Sequence, residues 1–376
     1  MSEEIFTPLR NDSTTLARIG SLRLPHGDIR TPAFMPVGTN GTVKALHHST
    51  VERIGYNLIL GNTYHLYLRP GLDVIRTYGS LHEFSSWKHN ILTDSGGFQI
   101  FSLAGFRKIA DEGVRFRSHI DGSYHELSPE AIVEAQAVFN SDIAMCLDVC
   151  TPPDISMKEA AEALRITHLW AKRSVAFRRT LESYNGNLFA IVQGNFFRDL
   201  RRDSARFITD LDLPGIAIGG LSVGEPFEIF SEMLSYTVEH LPRSKPLYVM
   251  GIGTPEYILE AVEQGIDLFD CVFATRTARN GAVFTRNGMI SLKKVRHQHS
   301  MEPIEEGCSC TACRTYSRGY LRHLFKSREI LGPMLATEHN LTFLYSFLSD
   351  IRKSIEEQRF SSFKKEFLDT YHAGKA

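Results

Sequence analysis

Apolar residues along this chain gather in short unbroken runs, and three of the runs stop on an aspartate: Ile91-Leu92-Thr93-Asp94, Ala144-Met145-Cys146-Leu147-Asp148 and Leu268-Phe269-Asp270. Continuous runs of this length predict strands buried on both faces, the pattern of a parallel sheet. Eight are expected, near residues 31–37, 57–61, 91–94, 142–148, 188–192, 215–219, 246–250 and 268–273. Helical patterns fall between several of them. Ser128-Pro129-Glu130 and Thr254-Pro255-Glu256 each place an N-cap before a proline at the first helical position. Ser156-Met157-Lys158-Glu159 has the spacing of a capping box, opening a helix that reaches about Glu182. Residues 225–241 put Phe227, Phe230, Met233, Leu234 and Val238 on one helical face.

Eight strand–helix alternations predict an α/β fold of the (β/α)8 barrel type. The doubly wound open sheet fits less well, because no G-x-G-x-x-G follows the first strand. Residues 94–121 are long for a connection and are expected to add structure over the barrel mouth. Past about Lys294 the pattern gives way to a cysteine cluster and then helices. The expected organisation is a barrel over residues 1–300, followed by a subdomain over 301–376 that holds the cysteine cluster and whose helices pack on the barrel.

A carboxylate is costly inside a core, so an aspartate closing a buried strand should emerge at the sheet's edge. In parallel α/β folds the carboxyl ends of the strands are where ligands bind. Asp94, Asp148 and Asp270 converging on one mouth therefore form a candidate active site. Taken one at a time, each reads more readily as a helix cap or turn residue.

With 43% hydrophobic residues the chain can bury a sizeable core, and it contains no apolar run long enough to span a membrane. The acidic start, Met1-Ser2-Glu3-Glu4, lacks the plan of a signal peptide, and six cysteines are too few for a disulfide scaffold of this size. A cytoplasmic protein is expected. A net charge of -1 argues against a general nucleic-acid coat. Between Arg276 and Glu329, however, eleven Lys or Arg face four Asp or Glu, a stretch able to follow a phosphate backbone or simply to form a solvated face.

Cys308, Cys310 and Cys313 fall within six residues. Disulfides between such near neighbours would be strained, whereas a turn of this kind can wrap a tetrahedral zinc ion. Spacing leaves the fourth ligand open among His297, His299, His323 and His339. Four such ligands leave no open position, so the zinc would be structural.

Thr93-Asp94-Ser95-Gly96-Gly97-Phe98-Gln99, Val192-Gln193-Gly194, Gly219-Gly220-Leu221-Ser222-Val223-Gly224-Glu225, Met250-Gly251-Ile252-Gly253-Thr254-Pro255 and Asp270-Cys271-Val272, with the cysteine cluster, resemble the bacterial tRNA-guanine transglycosylases in order and over nearly the whole chain. The resemblance implies a zinc-bearing barrel that exchanges the wobble guanine of the aspartate, asparagine, histidine and tyrosine tRNAs for a 7-deazaguanine, towards queuosine. It implies Asp270 as nucleophile and Asp94 as general acid/base. Asp148, Gln193 and the Gly220 backbone would hold the base, Phe98 and Met250 would sandwich it, and Arg276 and Arg279 would contact the anticodon loop. Cys308, Cys310, Cys313 and His339 would be the zinc ligands, one ion per chain. A homodimer through the zinc region is implied too, with Tyr316, Tyr320 and His323 as candidate contacts.

The chain departs from the family pattern in having Phe98 for tyrosine, Val149 for glutamate, Phe273-Ala274 before Thr275-Arg276, and Thr277 for asparagine. No catalytic group is lost. Val223 stands where a larger 7-substituent would pass, which favours the aminomethyl base preQ1 over queuine. The chemistry suits the residues. A carboxylate can bond to the anomeric carbon and be displaced, and a second carboxyl can pass protons between the two purines. A non-catalytic tRNA-binding subunit of the same family is disfavoured by retention of all three aspartates. A D-loop-modifying relative needs RNA-binding domains for which the residues after Cys313 are too few, and a glycoside hydrolase leaves the cysteines unexplained.

Overall fold

The computed structural model describes residues 4–103 and 106–373; of Leu103 only the backbone is described, and Met1, Ser2 and Glu3 of the acidic start lie outside the described residues. The chain opens with a three-stranded antiparallel sheet, β1 (Phe6–Asn11), β2 (Arg18–Leu24) and β3 (Gly27–Thr31). Three parallel strands follow, β4 (Ala33–Met35), β5 (Leu58–Gly61) and β6 (Asn90–Thr93). A second antiparallel sheet, β7 (Arg107–Ala110), β8 (Gly113–Arg117) and β9 (Tyr124–Leu127), interrupts them. The parallel series then resumes with β10 (Ile143–Met145), β11 (Asn187–Val192), β12 (Gly215–Ile218), β13 (Leu247–Val249) and β14 (Leu268–Asp270).

These eight parallel strands form one sheet in the order β4-β14-β13-β12-β11-β10-β6-β5. The two ends meet through a parallel bridge from Val37 to Leu60, supported by the Gly38 N–H on the Leu60 carbonyl at 2.7 Å. The (β/α)8 expectation is met, and all eight predicted strands are present. Several are shorter than their apolar runs. In the run 142–148 the strand ends at Met145; the Cys146 N–H still reaches the Phe189 carbonyl at 2.9 Å, and beyond it the Val149 N–H bonds to the Thr167 hydroxyl instead.

Side-chain alternation sorts the runs between two cores. Leu58, Leu60, Leu92, Ile143, Met145, Phe189, Ile191 and Tyr248 point into the barrel. Ile59, Ile91, Ala144, Leu188, Ala190 and Val192 point outward under the helices. Phe6, Leu22, Leu24 and Ile29 of the N-terminal sheet, with Ile5 just ahead of it, join the inner cluster, closing the floor of the barrel where the strands begin. Buried Arg18 fixes this sheet through both Asp267 oxygens, just ahead of β14.

Ser128 caps the helix Pro129–Phe139 by accepting from the Ala131 N–H, and Ser156 with Glu159 closes a reciprocal capping box on the helix Met157–Arg178. Thr254 sits at the expected N-cap of the helix Pro255–Glu263, but its side chain makes no capping bond. The long helix stops at Arg178, short of Glu182, where the Arg178 guanidinium folds onto the Tyr184 and Gly186 carbonyls. The helix expected over 225–241 is Phe227–Val238, since the Glu225 carboxylate turns back to accept from the Ser222 and Val223 amides. After the barrel come the helices Thr311–Thr315, Arg318–Lys326, Leu331–Glu356 and Phe360–Ala373. Leu341, Leu344, Phe347 and Ile351 of the third join the outer core. No helix among the described residues is long and apolar enough to cross a membrane.

Candidate active site and metal centre

The three aspartates stand at the carboxyl ends of β6, β10 and β14. Asp94 follows β6 directly and is only 8% exposed. Its Oδ1 accepts from the backbone N–H groups of Thr63 at 2.9 Å and Gly96 at 3.1 Å, and Oδ2 from the Asn62 side-chain amide at 2.5 Å. Burial pushes the carboxyl up to about 7; the Thr63 and Gly96 amides oppose this, and the charges of Asp270 and Asp148 reinforce it. A carboxyl poised near neutrality is suited to giving and taking a proton.

Asp148 lies three residues past β10 and is also buried. Ser95 Oγ donates to its Oδ1 at 2.9 Å and Gln193 Nε2 to its Oδ2 at 2.8 Å. Burial raises this carboxyl as well, against the hydrogen bonds of Gln193, Ser95 and Cys150. Asp270, the last residue of β14, accepts at one oxygen from the Tyr248 hydroxyl at 2.6 Å and the Gly251 N–H at 2.9 Å. Its other oxygen is left free of protein donors among the described residues, as a nucleophile requires. Burial raises Asp270 and those two bonds resist it, while burial beside Asp270 holds the Tyr248 hydroxyl well above its ordinary value, so Tyr248 stays a donor.

Two glycines are required by contact. A Cβ on Gly97 would lie 2.8 Å from the Asp148 carbonyl oxygen, and one on Gly220, at φ +68°, 2.4 Å from Gln193 Oε1. Beneath these loops the wholly buried Arg201 donates through Nε to the Asn195 carbonyl at 2.7 Å and through Nη1 to the Gly219 carbonyl at 2.8 Å. It thereby ties the ends of β11 and β12 together. Burial, partly offset by Glu225, brings its guanidinium down to about 9.

The structure thus brings Asp94 and Asp148 into one hydrogen-bonded neighbourhood through Ser95 and the Gly96-Gly97 turn, with Gln193 and Gly220 beside them. Met250, just past β13, packs on the inner cluster next to Gly251. Phe98 stands 53% exposed at the second position of the helix Gly97–Leu103. Arg276 and Arg279 both ride on the helix Phe273–Arg279 that springs from β14; Arg276 is exposed, and Arg279 keeps a buried Nη1 with no partner. Sequence pattern did not single out Asn62, Thr63, Tyr248 or Arg201. Tyr248 sits in an apolar run and reads there as core, and Arg201 reads as one more charge on an arginine-rich helix.

The other centre is built at the far end of the chain. Cys308, Cys310, Cys313 and His339 offer four ligand atoms within 4.8 Å of one another. His339 Nδ1 stands 3.7, 3.5 and 3.3 Å from the three sulfurs in that order, and its Nε2 lies 2.8 Å from the Phe284 carbonyl oxygen. That carbonyl accepts the Nε2 proton and leaves Nδ1 as a lone-pair donor facing the thiols, the arrangement usual for a metal-binding imidazole. Three thiols and one oriented imidazole fit a metal ion. His323 is exposed and bonds with Ser327, and His297 and His299 are absent from the group.

A family model described as queuine tRNA-ribosyltransferase matches residues 12–373. A queuine tRNA-ribosyltransferase of Treponema denticola is 55% identical over 370 residues, covering 98% of both chains. One of Borrelia hermsii is 53% identical over 98% of this chain and 99% of its own, and one of Caldanaerobacter subterraneus 48% identical over 98% and 97%. With an eight-stranded barrel, three strand-end carboxylates and a Cys3His cluster already in place, the chain belongs to the queuine tRNA-ribosyltransferase family.

Proposed function

We propose that the chain is a tRNA-guanine transglycosylase that replaces the wobble guanine of tRNAs by a 7-deazaguanine in queuosine formation. The observation that carries this reading is the set of three strand-end carboxylates on one barrel mouth, Asp94 and Asp148 buried and Asp270 half-buried, each differently bonded. In the proposed mechanism the free oxygen of Asp270 attacks the anomeric carbon of the ribose as the guanine leaves. Tyr248 and Gly251 hold the other oxygen and so aim the attacking one. Asp94 supplies the proton to the departing purine and later takes one from the incoming base. Asp148 accepts the paired N–H groups of the purine edge, and Gln193 with the Gly220 N–H serves its acceptor side. Phe98 and Met250 wall the ring and keep water from the covalent intermediate.

Arg276 and Arg279 meet the anticodon arm, and preQ1 is the incoming base. The Cys308, Cys310, Cys313 and His339 site holds zinc, which would tie the turn 308–313 to the helix Leu331–Glu356 and serve structure. The barrel over 1–300 and the metal-bearing unit over 301–376 act in the cytoplasm as a homodimer. Support for the dimer is the groove lined by Pro303, Tyr316 and Tyr320 beside Met301, which is 88% exposed. The test is incorporation of labelled preQ1 into tRNA, with a denaturing gel to trap the adduct. Failure of both exchange and adduct formation on a tRNA bearing the wobble guanine would refute the reading.

A further inference from the structure

A second cluster of metal-ligating side chains lies at the opposite end of the barrel. Asp142 immediately precedes β10, and its side chain is wholly buried. His26, from the turn between β2 and β3, places Nδ1 2.6 Å from Asp142 Oδ1; His82, from the helix Leu81–Ser85, places Nε2 3.1 Å from Oδ2. The two imidazoles stack with centroids 4.0 Å apart and planes 20° from parallel. One atom from each residue falls within a 4.8 Å group. Nothing in the exchange reaction uses these residues.

The charge balance of this cluster is unusual. Among the described residues no lysine or arginine pairs with Asp142, and besides the imidazoles its carboxylate accepts only from the Ile91 N–H, at 2.7 Å. Two protonated rings stacked at this distance would repel, two neutral rings would leave a buried anion without a counter-charge, and either a single protonated ring or a divalent cation would balance it. A divalent cation does so with both rings neutral and the carboxylate ionised. The two nitrogens meet different oxygens of Asp142, at 2.6 and 3.1 Å, whereas tetrahedral bonds of the usual length place donor atoms about 3.3 Å apart, so a shared ion would require the stacked rings to tilt apart and the carboxylate to turn. The His26 side chain is 30% exposed and opens a path from solvent.

We propose that His26, His82 and Asp142 form a second metal site, separate from the thiol site, for a divalent cation of the zinc, cobalt or nickel type, completed by water. Two imidazoles and one carboxylate suit those ions; calcium and magnesium demand more oxygen ligands. The bound ion would staple the β2–β3 turn to the start of β10 and so lock the barrel floor.

The test uses the full chain with its thiol site already loaded. Equilibrium dialysis against zinc, followed by metal analysis, should give two equivalents for the wild type and one for His26→Gln, whose partly exposed side chain spares the core. His82→Asn should also give one. The melting temperature should rise with added zinc in the wild type only. A wild type that stops at one equivalent, or a His26→Gln chain that takes up as much as the wild type, would overturn the proposal.

Discussion

Asp94 is the residue on which burial acts most visibly. Its carboxyl rises from 3.8 to about 7 on folding, so the folded chain holds this proton more tightly than the unfolded one. The stability it contributes is therefore present below about pH 4 and is lost as the pH climbs through 7. Asp94→Asn should be more stable than the wild type at pH 8, by up to about 4 kcal/mol, with the gap shrinking towards pH 5. Urea unfolding at the two pH values checks this, and an equal gap at both would contradict it. The same variant should lose on the order of a hundredfold to ten-thousandfold in exchange rate, since the proposed general acid/base is removed. Asp270→Asn should bind tRNA but form no adduct on a denaturing gel. An adduct that persists there and vanishes in Asp94→Asn would reverse the two assigned roles. The aspartates were legible because each ends an apolar run. Tyr248 and Arg201 were not, because what matters is where each points: the Tyr248 hydroxyl at the Asp270 carboxylate, the Arg201 fork at backbone carbonyls. Residue order along the chain carries no trace of either.

Among the elements, the barrel strands were legible to within a few residues, because both of their faces are buried and the whole run is apolar. The sheet β1–β3 went unseen, and β7–β9 was foreseen only as added structure within 94–121, because several of their strands bury too little to be read. Only Phe6 is buried in β1, and β7 buries no residue fully, so those two offer no alternation. The helix Leu331–Glu356 is the element with most at stake in the metal centre, since it carries His339 and Glu338, whose carboxylate accepts from the Thr311 N–H at 3.0 Å. His339→Ala should lose bound metal and lower the melting temperature by several degrees, whereas exposed His323→Ala should do neither. Metal analysis with thermal denaturation decides it. Metal loss in His323→Ala and retention in His339→Ala would contradict the ligand set.

At the scale of the molecule, the basic stretch is less free than its charge count implies. Arg286 is paired with Asp350, and Arg318 with Glu302. Exposed Arg276, with Lys293, Lys294 and Arg296, remains open to a phosphate backbone. Affinity for tRNA should fall steeply with salt, and replacing Arg276 by Ala should flatten that dependence by roughly one counterion. Binding measured by filter retention across salt concentrations tests this; an unchanged slope would remove Arg276 from the RNA interface. The floor sealed by Ile5, Phe6, Leu22 and Leu24 has a further consequence. With that floor closed, the outgoing purine and its replacement in the proposed exchange would share the one mouth at the carboxyl ends of the strands, beside the bound RNA. Each base must vacate before the other can enter. Free guanine should consequently compete with the incoming base, and the net direction of traffic should follow the relative abundance of the two purines, with no fuel molecule to drive it.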